Sequence, residues 1–160
     1  PGYFGKFISL HFAPYLNERI ATDEQQDAFE TIIDFLDGVN IVIPDDLKEY
    51  LDDAAKTIDL VDVSKKAAAS VVAAIQDPEQ YLKDNREMFG RYKEVKASDA
   101  YKNTPGYRLQ ELFAQLNREN GYNDVFIPAM RRLSSSYREY YEKLLKANEV
   151  FLKSYREVRI

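Results

Sequence analysis

Enzyme chemistry needs groups that hold a proton, a metal or a covalent intermediate, and this chain supplies few of them. His11 is the single histidine and there is no cysteine, which excludes thiolate catalysis, disulfides and any cysteine-ligated zinc or iron–sulfur centre. A serine triad would have to use His11, and no Gly-x-Ser-x-Gly turn exists to present the nucleophile. The Glu-x-x-His pairs of a di-metal helical bundle need two histidines. Asp45-Asp46 and Asp52-Asp53 lack the alternating ligands, central Gly and terminal Glu of a calcium loop. They read instead as a solvated helix face behind Pro44. Phosphate-cradling glycine loops are missing too. Carboxylate pairs of the glycosidase type are present only in the sense that acids are plentiful; no pattern gathers them into a site. The expectation is therefore a protein that is not an enzyme, with no cofactor and no metal site.

What the sequence does offer is contact chemistry. It has twelve tyrosines and no tryptophan. Tyrosine gives a large, stiff, amphipathic surface at low entropic cost and is enriched where proteins meet. Tyr137, Tyr140, Tyr141, Phe151 and Tyr155 fall on one C-terminal segment, and Tyr81 and Tyr92 lie upstream. The C-terminal five are the candidate partner-binding residues, for a protein partner or a second copy of the chain. The plainer alternative is that they pack at the core boundary with hydroxyls in water. Tyr140 and Tyr141 test that, since neighbours on a helix diverge by about 100° and a core can take only one of them fully.

A second function class rests on a helix-turn-helix-like pair at 109–133, with a turn containing Gly121 and with Arg131 and Arg132 at the far end. That would be a nucleic-acid-associated regulator. Pro128 inside the would-be recognition helix, the long turn and the net charge of −5 weigh against it.

These residues sit on helices. Thr22 and Gln25 form a capping box, Asp23 and Glu24 suit the positive end of a helix dipole, and Phe29, Ile32, Ile33 and Leu36 mark an apolar stripe ending at Gly38. An earlier helix is expected over 3–20, kinked near Pro14. Val39–Ile43 reads as an extended connector burying Ile41 and Ile43. Pro44 then opens a helix with Leu47, Tyr50, Leu51, Ala54 and Ile58 at three- and four-residue spacing. Residues 64–76 are small and apolar around most of the circumference, which predicts an inner helix. Asp77-Pro78-Glu79-Gln80 starts another, with Gln80 reaching back to the cap and Tyr81, Leu82, Asn85, Met88, Phe89 and Tyr92 on one face. Residues 96–104 are a polar connection with a short turn. Thr104-Pro105 caps a helix that buries Leu109, Leu112, Phe113 and Leu116 and ends before Gly121. The last pattern runs from about 123 to 158, with Pro128 tolerable only in a first turn or at a kink. Met130, Leu133, Tyr137, Tyr140 and Leu144 step by three and four, Asn148 marks a stutter, and Phe151, Tyr155 and Val158 resume. Uninterrupted, its 30 or so residues would make a helix of about 45 Å.

The fold class that follows is all-α, a single domain over 1–160, an irregular bundle of about six helices around 64–76 with a long C-terminal helix. At 160 residues, 45% of them hydrophobic, the chain can bury its own core without staples. Nothing in residues 2–16 reads as a signal peptide, and the longest apolar run, Ala67–Ile75, is less than half of the roughly 20 residues a membrane span needs. A soluble, cytoplasmic protein is expected; a start at Pro1 without Met fits either a processed initiator or a piece of a longer chain. Charge is segregated: residues 23–62 hold thirteen Asp and Glu against Lys48 and Lys56, whereas 131–160 hold eight Lys and Arg against four Glu. Either the acidic helices close on the basic helix within one chain, or the acidic face of one molecule meets the basic helix of another. The preferred function is a helical protein–protein interaction or assembly module built on the C-terminal helix.

Overall fold

The computed structural model describes residues 11–39, 42–57, 59–119 and 121–154. Among them are nine α-helices and no strand. They are α1 (Asp23–Gly38), α2 (Asp45–Thr57), α3 (Leu60–Gln76), α4 (Pro78–Asp84), α5 (Arg86–Ala97), α6 (Asp99–Lys102), α7 (Pro105–Glu119), α8 (Ile127–Leu133) and α9 (Ser135–Ser154). A 3-10 turn at Ala13–Tyr15 precedes α1, and a π-helical turn at Tyr122–Phe126 leads into α8. The all-α class with a long C-terminal helix is as the sequence predicts, and no helix of the described residues is long and apolar enough to cross a membrane. Expectations placed on residues 3–10, Ile41, Ile58, Tyr155 and Val158 lie outside the described residues, as does the side chain of Leu116.

The helix starts follow the capping chemistry. Gln25 N–H donates to Thr22 Oγ1, and Thr22 N–H donates back to Gln25 Oε1, both at 3.2 Å. The Gln25 amide nitrogen then donates to the carbonyl of Leu133 at 3.1 Å, tying the start of α1 to the end of α8. Asp77 accepts from Gln80 N–H at 3.0 Å with Pro78 in the first turn of α4. The Gln80 side chain does not return to the cap as expected; it donates forward to Asp84 at 2.7 Å. Thr104 Oγ1 accepts from Tyr107 N–H at 3.2 Å to start α7. After α7, Gly121 adopts a φ of 75°, and a Cβ there would stand 3.2 Å from the Val125 side chain.

Two expected long helices are broken, each by a polar side chain that competes for backbone partners. Between α4 and α5, Asn85 Nδ2 donates to the Tyr81 carbonyl at 2.9 Å beside the backbone bond to the same oxygen. Between α8 and α9 the break is at Ser134, whose backbone is extended. Its Oγ accepts from Tyr137 N–H at 3.1 Å and so acts as the N-cap of α9. The C-terminal helix is thus 20 residues as described, about 30 Å long rather than 45 Å. Pro128 lies in the first turn of α8, where its missing N–H costs nothing.

The Ser134 break is held open by a carboxylate from far away in sequence. Glu18 Oε1 accepts from Ser136 Oγ at 2.7 Å, Ser136 N–H at 2.9 Å and Ser134 Oγ at 2.8 Å. Glu18 Oε2 accepts from Ser135 N–H at 3.0 Å and Ser135 Oγ at 2.8 Å. Two of these donors are backbone groups that a helix start would otherwise leave without an intrahelical partner, and the negative charge sits at the positive end of the α9 dipole. Ser134 is fully buried, yet its hydroxyl both donates and accepts.

Packing forms three clusters. The first joins α1, the π turn, α8 and the start of α9 through Phe12, Ala28, Ile32, Phe35, Phe126, Met130 and Tyr137. The stripe on α1 is rotated from the one expected: Ala28, Ile32 and Phe35 face inward, while Phe29 and Ile33 remain 39% and 40% exposed. The second joins α3, α4, α5 and the end of α9 through Ala74, Leu82, Phe89 and Phe151. The third joins Ile43, Leu47 and Leu109 between α2 and α7. The expectation that 64–76 is the inner helix is therefore corrected. Ala67, Ala68, Ala69 and Val72 are exposed and, among the described side chains of the helix, only Ala74 is buried, so its contacts with α4 and α9 cover only part of its surface. Between described residues the ion pairs are neighbours on one helix, apart from Arg108 with Asp46, which joins α7 to α2.

Hydrogen bonds from the Ser136 hydroxyl and N–H, then from Ser134 and Ser135, hold the Glu18 carboxyl far below its usual value of 4.5. A depressed carboxyl contributes stability that is complete above the unfolded value and is lost as pH falls towards the folded one. Glu18→Ala is expected to cost about 1–2 kcal/mol near neutral pH, the scale of a lost helix cap. Denaturant melts of both proteins should show that gap narrowing as pH is lowered below 4.5.

Candidate interaction surface

The C-terminal tyrosines occupy both sides of the first cluster. Tyr137 is 2% exposed, with its ring 5.4 Å from Phe12 and 5.3 Å from Tyr15. Tyr140 and Tyr141 are both half-buried, each 6.0 Å from Tyr137. Neither is swallowed by the core: Tyr15 covers Tyr140 at 5.3 Å, and the Arg131 guanidinium lies 5.1 Å over the Tyr141 ring. Phe151 is 1% exposed and packs edge-on against Phe89 at 5.7 Å. Of the five residues picked out as partner-binding, Tyr137 and Phe151 are core side chains, Tyr140 and Tyr141 form a core margin, and Tyr155 lies outside the described residues. The physical reason is that one seam serves two cores in succession, and its knobs are consumed within the chain.

The electrostatics of the cluster fit packing rather than reactivity. Burial pushes the Tyr122 phenol up to about 12, with Tyr140 and Tyr141 adding to the shift. Burial likewise raises Tyr137, helped by Tyr122 and Tyr141, and raises Tyr140. Tyr15 is raised by burial and by Tyr140. Phenols held neutral in this way are poor bases and poor nucleophiles near neutral pH.

The arginines of the helix-turn-helix reading separate. Arg131 is half-buried over Tyr141 and its Nε has no hydrogen-bond partner, while Arg132 is exposed. The helix that would enter a groove, α8, buries Ile127, Ala129, Met130 and Leu133 and packs against α1. His11 meets Phe12 edge-on at 4.7 Å. Among the described residues no group of three or more His, Cys, Asp or Glu is placed to hold a metal ion. Between α2 and α7 runs an open groove of about 320 Å³, floored by Pro44, Leu47 and Leu112 with Arg108 and Arg118 on its rim.

The clearest unsatisfied surface is on α5. Met88, Tyr92 and Val95 are 49%, 41% and 51% exposed. Their spacing of four and three residues aligns them as one stripe. Phe89, on a different side of the helix, anchors it to Phe151 and Tyr81. Cations flank the stripe. Arg91 pairs with Glu87 one turn back, and Lys96 Nζ lies 5.0 Å over the Tyr92 ring. Tyr92 could be singled out from its residue type. Met88 and Val95 could not, because a lone apolar position on an amphipathic helix is normally read as inward. Comparison of the chain with family models, with curated proteins and with solved structures finds no match.

Two outcomes follow from the buried aromatics. Phe151→Ala should destabilise the protein by about 3–5 kcal/mol, the range for a fully buried aromatic, as read by calorimetry or denaturant melts. At the alkaline end, raised phenols favour the folded state below the unfolded value of 10 and lose that contribution as pH climbs through the folded value. Phenolate absorbance should accordingly show Tyr122 ionising late, near pH 12, unless unfolding comes first.

Proposed function

We propose that the protein is a non-enzymatic helical interaction and assembly module. The observation that carries the reading is the α5 stripe, three large apolar side chains left about half exposed in a row between cations. Scattered apolar residues are normal on a protein surface; an aligned set on one helix face is what a partner helix uses. The long C-terminal helix takes part by carrying α5: Phe151 at its far end holds Phe89 in place. Its tyrosines Tyr137, Tyr140 and Tyr141 belong to the other cluster, with Tyr140 and Tyr141 at the margin. A cytoplasmic setting agrees with a sequence that has no thiol to oxidise.

Tyr92→Asp with Val95→Asp tests the proposal. These are exposed positions, so thermal stability should shift by no more than about 0.5 kcal/mol. Crosslinking and co-purification should lose the partner that the wild type retains. A wild type that captures neither another protein nor itself at high concentration would overturn the reading.

A further inference from the structure

The interaction reading leaves open what lies on the α5 stripe, and a complementary surface is present on the same chain. Helix α1 carries six carboxylates, Asp23, Glu24, Asp27, Glu30, Asp34 and Asp37, and no cation. Its described neighbours do not neutralise it, since every ion pair found between described residues lies elsewhere. Beside those acids stand Phe29 and Ile33, one turn apart and about 40% exposed. At 100° per residue, Ile33 is followed around the helix by Asp37 and Glu30, so the apolar pair borders the core on one side and an acidic face on the other. Helix α5 offers the converse: Met88, Tyr92 and Val95 between Arg91 and Lys96, on a helix with Arg86 and Lys93 against Glu87 and Glu94.

We infer that the occupant of the α5 stripe is α1 of a second copy of this chain, Phe29 and Ile33 meeting Met88, Tyr92 and Val95 while Glu30 and Asp37 face Arg91 and Lys96. The inference rests on the interaction reading above and gives it a partner. Helix α9 is a poorer counterpart for α1. Its cations Arg138, Lys143, Lys146 and Lys153 alternate with Glu139, Glu142 and Glu149, and Leu145 is its one large apolar side chain of high exposure among the described residues. Apolar contact supplies the attraction between the two patches and charge sets the partner and the orientation. The patches are different surfaces. Two copies therefore either exchange α1 and α5 reciprocally around a two-fold axis or add head to tail.

The test is solution mass against protein concentration, by sedimentation or light scattering, at low and high salt. The wild type should associate at low salt and do so roughly tenfold more weakly at about 1 M salt, where the screening length falls to about 3 Å. Arg91→Glu with Lys96→Glu should be monomeric, and so should Glu30→Lys with Asp37→Lys. An equimolar mixture of the two variants should associate again, because each then finds its complement on the other. Circular dichroism and melting temperature of each variant establish that it is folded. Charge-reversed variants that associate like the wild type, or a mixture that fails to regain association, would overturn the α1–α5 contact. If the wild type stays monomeric throughout but captures a different protein that Tyr92→Asp with Val95→Asp loses, the self-contact falls and the interaction reading stands. If it captures nothing at all, both fall.

Discussion

One carboxylate decides where the C-terminal helix begins. Without Glu18, the run from Ile127 to Ser154 has a periodicity that could continue as a single helix, and the three serines would sit in its middle. The five hydrogen bonds to Glu18 reward the alternative, in which Ser134 leaves the helix and the N–H groups of Ser135 and Ser136 turn outward to an anion. That change of direction lets α8 lie against α1 while α9 departs towards α3 and α4, with Phe151 reaching Phe89 of α5. Tyr137 and Phe151 then stand about 21 Å apart on one rigid rod, each fully inside a different cluster. The geometry of both cores follows from that start point.

How much of this is legible in the sequence depends on the range of the interaction. Capping chemistry is local, and it located the starts of α1, α4 and α7 through Thr22, Asp77 and Thr104. The glycine after α7 was also readable, since the backbone at Gly121 is left-handed. The Ser134 break was not, because its cause is more than a hundred residues away and a periodic seam outvoted three adjacent serines. On α1 the error was one of rotation. The stripe of Phe29, Ile32, Ile33 and Leu36 omits Ala28, although an alanine against α8 permits close approach, and it includes Phe29 and Ile33, which the structure leaves about 40% exposed. On α3 the same preference failed in the other direction: a small-residue helix suits an interior only if neighbours reach along its whole length. On the C-terminal segment Tyr137 and Phe151 take the core side of the boundary and Tyr140 and Tyr141 its margin, a division that periodicity does not reveal, since it does not distinguish a seam filled by the chain itself from one left for another molecule.

The segregated charge also takes a narrower meaning. Of the two closures open to the sequence, no ion pair between described residues links α1 or α2 to α9. Helix α1 docks through alanine and aromatic contacts and leaves its acids in water, where carboxylates pay no desolvation penalty. The exposed local pairs, such as Lys56 with Asp53, contribute little to stability. The carboxylates of α1, unlike that of Glu18, therefore belong to the outer surface of the molecule, and no ion pair between described residues ties the acidic segment to the basic one.

The sharing of α9 by two cores has a consequence for how the molecule comes apart. A rod that is fully buried at Tyr137 and again at Phe151 cannot detach from one cluster without loosening its grip on the other. The two clusters are therefore mechanically coupled through α9. The α2–α7 pair has its own small apolar contact and its own ion pair, Arg108 with Asp46. It shares no buried residue with the other two clusters, although α7 also packs on the π turn, and a small apolar contact of this kind is where local opening begins in proteins.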